Sequence, residues 1–186
     1  MSPKEYYSRY QADDNLSELS KSLINAVVSH SPRSVLDFGC GTGKHIAKLE
    51  NVVTCGLDIS LINLEIAHIK NGCNFLVLGT EEHLPHFGAF DVVITCSVLD
   101  HIEHIDEIIR NFKRIAKKAI YLAETSDIVN EYYYNHDFTK YGFRKVEGTE
   151  WKGEDGATYY LYEWINGVSH TGIPSFSHDD LGKFHI

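Results

Sequence analysis

At 186 residues the chain has room for one domain with a substantial core, and too little for two. A hydrophobic share of 43%, a charged share of 23% and a formal net charge of −9 describe an acidic globular protein, and they argue against a nucleic-acid partner, which usually calls for a basic face. No apolar run approaches the roughly 20 residues of a membrane span, and Met1 to Tyr10 lack the apolar core of a leader, so no membrane contact and a cytoplasmic location are expected.

Leu16, Leu19, Leu23 and Val27 recur at helical spacing, and Pro32 predicts the stop before a first strand at Ser34 to Phe38. A helix is predicted from Gly43 to about Glu50, a second strand over Val52 to Leu57, and a helix from Ser60, its cap, to about Lys70. Cys73 to Leu78 reads as strand three. Phe90 to Cys96 reads as strand four, apolar on both faces as a central parallel strand should be. Ile102, Ile105, Ile109, Phe112 and Ala116 mark a long amphipathic helix, with Lys113, Arg114, Lys117 and Lys118 complementing the dipole at its end. Ala119 to Ala123 is strand five. Asp127 to Asn135 is a tyrosine-rich helix candidate, and Gly142 to Gly148 with Thr158 to Ile165 predict a hairpin turning at Gly153 to Gly156. Cys40, Cys55, Cys73 and Cys96 form no C-x-x-C pair and read as buried free thiols of a reducing compartment.

The most informative stretch is Val35-Leu-Asp-Phe-Gly-Cys-Gly-Thr-Gly-Lys-His45. A buried strand enters a loop carrying Gly39, Gly41 and Gly43 and then a helix, which makes a nucleotide-sized site at the carboxyl edge of a parallel sheet. The third glycine comes one residue earlier than in the dinucleotide fingerprint, and Lys44 stands where that fingerprint wants glycine. Asp37, just ahead of the glycines, suits a ligand with positive charge better than a pyrophosphate.

The loop resembles motif I of the class I S-adenosylmethionine-dependent methyltransferases, and the resemblance runs from about residue 34 to 165. It implies a Rossmann-like α/β three-layer sandwich: a seven-stranded, mainly parallel sheet ending in an antiparallel hairpin. Residues 1–165 would form the methyltransferase domain, with 1–33 as an N-terminal helical lid segment and 166–186 as a polar tail. S-adenosylmethionine would be the cofactor, with S-adenosylhomocysteine the product. Asp37 would reach the methionyl ammonium. Gly39, Cys40, Gly41 and Gly43 would bring main chain against the ligand. Asp58, ending strand two, would accept from both ribose hydroxyls, with Ile59 along one face of adenine and Thr80 or Glu81 at its edge. The Cys96 carbonyl would face the ammonium as well. Thr80 stands where relatives commonly carry Asp.

On the acceptor side, Asp100 and His101 follow strand four. His101 reads either as a general base, since imidazole titrates near neutral pH, or as pocket lining. A metal site at His101, His104, Glu124 and His136, as in small-RNA 2′-O-methyltransferases, is a looser match, and no metal is expected. The segment after strand four lacks the prolines of amino-methylating DNA enzymes and of C5-pyrimidine enzymes. Glu124, Thr125 and Asp127 would shape the acceptor pocket, with Tyr6, Tyr7, Tyr10 and Tyr132 to Tyr134 as aromatic cover. The expected function is methyl transfer to an O or N atom of a small-molecule acceptor by a monomer or homodimer. RNA or protein methylation, or a non-catalytic subunit that binds the cofactor, are the alternatives.

Overall fold

The computed structural model describes residues 16–73, 75–125, 133–153 and 156–168. Helix α1 (Glu18–Ser29) begins at Ser17, whose side chain accepts the Ser20 N–H. Strand β1 (Ser34–Phe38) leads into the glycine loop, and β2 (Val53–Asp58) pairs with it in parallel. Helix α2 (Leu61–Asn71) is capped by Ser60 and stopped by Gly72 in the left-handed conformation. Strands β3 (Phe75–Leu78) and β4 (Phe90–Cys96) follow, then helix α3 (Asp106–Ile115) and β5 (Ala116–Thr125). The chain closes with β6 (Arg144–Lys145), β7 (Trp151–Lys152) and β8 (Thr158–Ile165).

The sheet runs β3-β2-β1-β4-β5-β8-β6, with β7 also on β8. The β1 to β5 pairings are all parallel, and β8 lies antiparallel beside β5. Strand alternation sorts the core into two sides. Val35, Val92, Ile94, Ala119 and Tyr121 pack with Leu19, Leu23 and Val27 of α1 and Ala67 of α2. Leu36, Phe38, Val93, Ile120 and Leu122 pack with Ile108, Ile109 and Phe112 of α3. Phe38 and Phe112 meet edge to face at 5.3 Å between centroids, a contact adding about 0.5–1.5 kcal/mol beyond area burial. This is the expected α/β three-layer sandwich. Among the described residues, no helix is long and apolar enough to cross a membrane.

Three local expectations change. The helix predicted from Gly43 is a single 3-10 turn, Ile46–Lys48, because Gly43 (φ +76°) and Asn51 (φ +58°) take left-handed backbone and leave too few residues between them. The basic cluster is not one helix end, since β5 starts directly after α3. Lys118, on β5, pairs with Asp91 at 3.3 Å and donates to the carbonyls of His30 and Ser31, while Arg114 donates to the Leu84 carbonyl. The first arm of the terminal hairpin is broken into β6 and β7 around Gly148 (φ +74°), so the sheet has eight strands. The predicted Asp127–Asn135 helix lies largely outside the described residues, and Tyr133 to Asp137 run without helix. Tyr6, Tyr7, Tyr10 and Tyr132 also lie outside them.

Candidate cofactor and acceptor site

Alternation along β1 turns Asp37 away from the α3 side and toward α1, where it is 1% exposed. Its Oδ2 atom is buried and has no hydrogen-bond partner. The nearest group able to carry positive charge is His45, whose Nδ1 lies 3.9 Å away, too far for a hydrogen bond. Burial, and then the Asp58 carboxylate, push Asp37 up to about 8. In its ionised form that buried oxygen would need a cationic partner.

The three glycines do different work. A Cβ on Gly39 would sit 2.3 Å from Val98 Cγ2, so this glycine admits the segment after β4. A Cβ on Gly43 would meet Cys73 Sγ at 2.6 Å and Ala67 Cβ at 3.1 Å, so this one lets α2 pack against the loop. Only at Gly41 is the space open, with φ at +52°. The loop's N–H groups are also committed internally: Gly39 and Cys40 donate to the Leu57 carbonyl, Gly43 to that of Cys40, and Gly41 to Asp58 Oδ2 at 2.8 Å. Burial pushes the Cys40 and Cys96 thiols far above their ordinary range, away from the thiolate form.

Asp58 ends β2 beside this opening. Its Oδ1 accepts the Ser60 N–H at 2.8 Å as its Oδ2 takes Gly41, so it both ties the loop to β2 and starts α2. Each carboxylate oxygen has a second lone pair free to receive a hydroxyl. Ile59 stands next to it at 63% exposure, an apolar ledge at the lip. Thr80 caps the 3-10 turn Glu81–His86, accepting the Glu82 N–H, while His83 Nδ1 accepts the Thr80 N–H. Glu81 is exposed in the first turn.

After β4, Ser97 takes a left-handed backbone (φ +53°) and turns the chain toward His101. The turn Leu99–His101 is clamped from two other parts of the chain. Glu124 on β5 accepts the N–H of Val98 at 3.0 Å and of Asp100 at 3.4 Å, along with the Thr95 hydroxyl at 3.3 Å. Tyr134 N–H donates to the Asp100 carbonyl, and His136 Nε2 donates toward the carbonyls of Leu99 and Ile102. The His101 side chain, 31% exposed, stacks on Tyr133 at 4.8 Å, with its Nε2 3.7 Å from Asp100 Oδ1.

These contacts bear on three expectations. Glu124 and Thr125 are fully buried and do not line an acceptor pocket; their side chains hold backbone, Thr125 through the Thr158 carbonyl. Asp100 is also fully buried and lies beneath His101 instead of opening the cleft. Of the four residues in the looser metal reading, Glu124 accepts from the main chain and His136 donates to it through Nε2. Among the described residues, no group of three or more His, Cys, Asp or Glu side chains is placed to hold a metal ion. His45 and Val98 were not singled out from sequence, since nothing local signals that Asp37 meets the first or that Gly39 meets the second.

A sheet in this order, with one carboxylate next to the end of β1 and another ending β2 around a glycine turn, defines the class I S-adenosylmethionine-dependent methyltransferase architecture. The chain belongs to the methyltransferase domain family, which matches residues 5–181. It is 31% identical over 96 residues to ajmaline N-methyltransferase from Rauvolfia serpentina, covering 46% of this chain and 33% of that protein. It is 36% identical over 95 residues to the tRNA U34 carboxymethyltransferase of Aeromonas salmonicida, covering 44% and 29% respectively. The chain thus spans about a third of the length of the curated relatives it matches. The crystal structure of magnesium protoporphyrin IX methyltransferase from Synechocystis, with bound S-adenosylmethionine, superimposes with a TM-score of 0.67 at 17% identity. That likeness, over 88% of this chain and 91% of the other, is one of fold.

Proposed function

We propose that the protein transfers a methyl group from S-adenosylmethionine to an O or N atom of a small-molecule acceptor. The observation that carries this reading is Asp37 Oδ2, a buried carboxyl oxygen without a hydrogen-bond partner beside the open Gly41. That oxygen fits the ammonium of a methionyl group, and Asp58 fits a ribose diol. S-adenosylmethionine supplies an electrophilic methyl on a sulfonium.

The chain's own residues bind, orient and take up a proton. Asp37 holds the ammonium, with the Cys96 carbonyl as a second acceptor. Gly39, Cys40, Gly41 and Gly43 shape the floor of the cleft. Asp58 accepts from the ribose hydroxyls, Ile59 covers adenine, and Thr80 or Glu81 meets its edge. His101 takes the acceptor's proton, with its Nε2 3.7 Å from Asp100 Oδ1. Most of the acceleration comes from holding the acceptor in line, worth up to about 7–11 kcal/mol in well-oriented systems. The net charge of −9 supports a small molecule over RNA, and the ajmaline enzyme supports nitrogen as a target atom. Four free cysteines support a cytoplasmic location.

The test is a product screen for S-adenosylhomocysteine release across amines, hydroxylated metabolites and bulk RNA. Turnover with amines or hydroxyls is expected, with kcat falling about 100-fold in His101→Ala. Release with RNA alone would overturn the acceptor class. Unchanged kcat in His101→Ala would remove the base assignment.

A further inference from the structure

We propose that His45 is a positioning residue for the ammonium end of the cofactor, acting on Asp37 with its proton held on Nδ1, and that the first turn of α1 selects this tautomer. The inference rests on the S-adenosylmethionine reading above. A chain of polar groups links α1 to β1. The Ser17 hydroxyl donates to Ser20 Oγ at 3.1 Å, and Ser17 Oγ accepts the Ser20 N–H in return. In the proposed arrangement the Ser20 hydroxyl, 3.1 Å away, donates to His45 Nε2. A neutral imidazole that accepts at Nε2 carries its hydrogen on Nδ1. That nitrogen is the one facing Asp37 Oδ2 at 3.9 Å.

The spacing is part of the argument. At 3.9 Å the ring does not consume the lone pairs of Oδ2, and it sets a positive dipole on one side of the carboxyl. The carboxyl thus faces a positive dipole on one side while its Oδ2 stays open to a ligand's ammonium. Burial, then the neighbouring Lys44 charge, hold His45 down at about 4, so the ring is neutral and does not compete with the ligand as a second cation. The other ionisable groups acting on this corner are Asp58, Cys40 and Cys73, and none of them supplies positive charge. A histidine serving only as filler would need neither a directed hydroxyl behind it nor a carboxylate in front.

The experiment compares two ligands by calorimetry: S-adenosylhomocysteine, which has the ammonium, and 5′-methylthioadenosine, which lacks the amino-acid end. In His45→Ala the first should bind about tenfold more weakly and the second within twofold of the unmodified protein. His45→Asn, whose side-chain N–H can stand where Nδ1–H stands, should recover most of the loss. Ring-nitrogen NMR of the ligand-free protein should report the Nδ1–H tautomer at neutral pH, and Ser20→Ala should shift it toward Nε2–H. Equal weakening of both ligands, an unaltered S-adenosylhomocysteine affinity, or an Nε2–H ring or imidazolium in the unmodified protein would overturn the proposal. If the unmodified protein bound neither ligand, the cofactor reading would fall and this inference with it.

Discussion

Glu124 Oε2 accepts the backbone N–H of Val98 at 3.0 Å, and the methyls of Val98 fill the space that a Cβ on Gly39 would need. One buried side chain on β5 therefore fixes the segment after β4 in two directions, toward the cofactor loop and toward His101. Burial, and then the adjacent Asp100 carboxyl, push Glu124 well above the ordinary carboxyl range, while the N–H groups it receives pull the other way. Its role is to hold backbone, and that role is testable.

Replacing Glu124 with Ala should leave the N–H groups of Val98 and Asp100 buried without an acceptor. At about 1–3 kcal/mol for each stranded group, a loss near 3 kcal/mol in urea unfolding is expected, with weaker S-adenosylhomocysteine binding. Glu124→Gln keeps one acceptor oxygen and should lose roughly 1 kcal/mol. A Glu124→Ala protein of unaltered stability would refute the clamp.

Gly39→Ala and Gly41→Ala separate packing from binding. Both place a Cβ on left-handed backbone, but at Gly39 it would also collide with Val98. Gly39→Ala should cost roughly 2–4 kcal/mol of stability, and Gly41→Ala about 1 kcal/mol, mainly from strained φ. The Gly41 variant should keep its fold and lose cofactor affinity, as read by thermal unfolding with and without S-adenosylhomocysteine. The reverse order of stabilities would be incompatible with this loop.

The Asp37 carboxyl, held up at about 8 in the free protein, makes binding pH-dependent. A cationic ligand favours the ionised form, so affinity should rise with pH up to and through about 8 and then level off. At neutral pH binding should release protons, read as an enthalpy that depends on the buffer's ionisation heat. For the free protein the sign is opposite. A carboxyl whose folded pKa is raised contributes stability below its unfolded value near 4, and that contribution is lost as pH rises toward 8. In Asp37→Asn both dependences should flatten.

Asp58→Ala should weaken S-adenosylhomocysteine binding by about 100-fold, since two charge-assisted hydrogen bonds to the ribose would be lost. The same change frees the N–H groups of Gly41 and Ser60, so a modest drop in stability should accompany it. A 2′,3′-dideoxy analogue, which lacks both hydroxyls, should bind the variant and the unmodified protein alike. If the analogue also lost affinity on mutation, Asp58 would be a loop anchor alone.

Much of the framework was legible along the chain. Strands β1 and β4 have the predicted bounds and β2 lies within one residue of them, because strands buried on both faces are continuous apolar runs between turn residues. The glycine loop, Asp37 and Asp58 were legible because their spacing reflects a local constraint, a strand end followed by a tight turn. The helix after Gly43 was not, since periodicity cannot report that Gly43 and Asn51 both take left-handed backbone. The basic run at Lys113 to Lys118 looked like a dipole complement, yet the chain passes from α3 into β5 within it, and Lys113, Arg114 and Lys118 reach three separate partners, the carbonyls of Tyr141 and Leu84 and the Asp91 carboxylate.

The sequence by itself determined the fold class, the strand that leads into the glycine loop, and which acidic residues, Asp37 and Asp58, flank that loop. Tertiary structure alone decided that Glu124 and Asp100 are buried, that His101 is the exposed member of its turn, and that His45 stands between α1 and Asp37. The physical reason lies in the range of each cause. Hydrophobic periodicity and turn chemistry act between near neighbours and leave a local trace, whereas the partner of a buried carboxyl arrives from a distant strand or helix and leaves none.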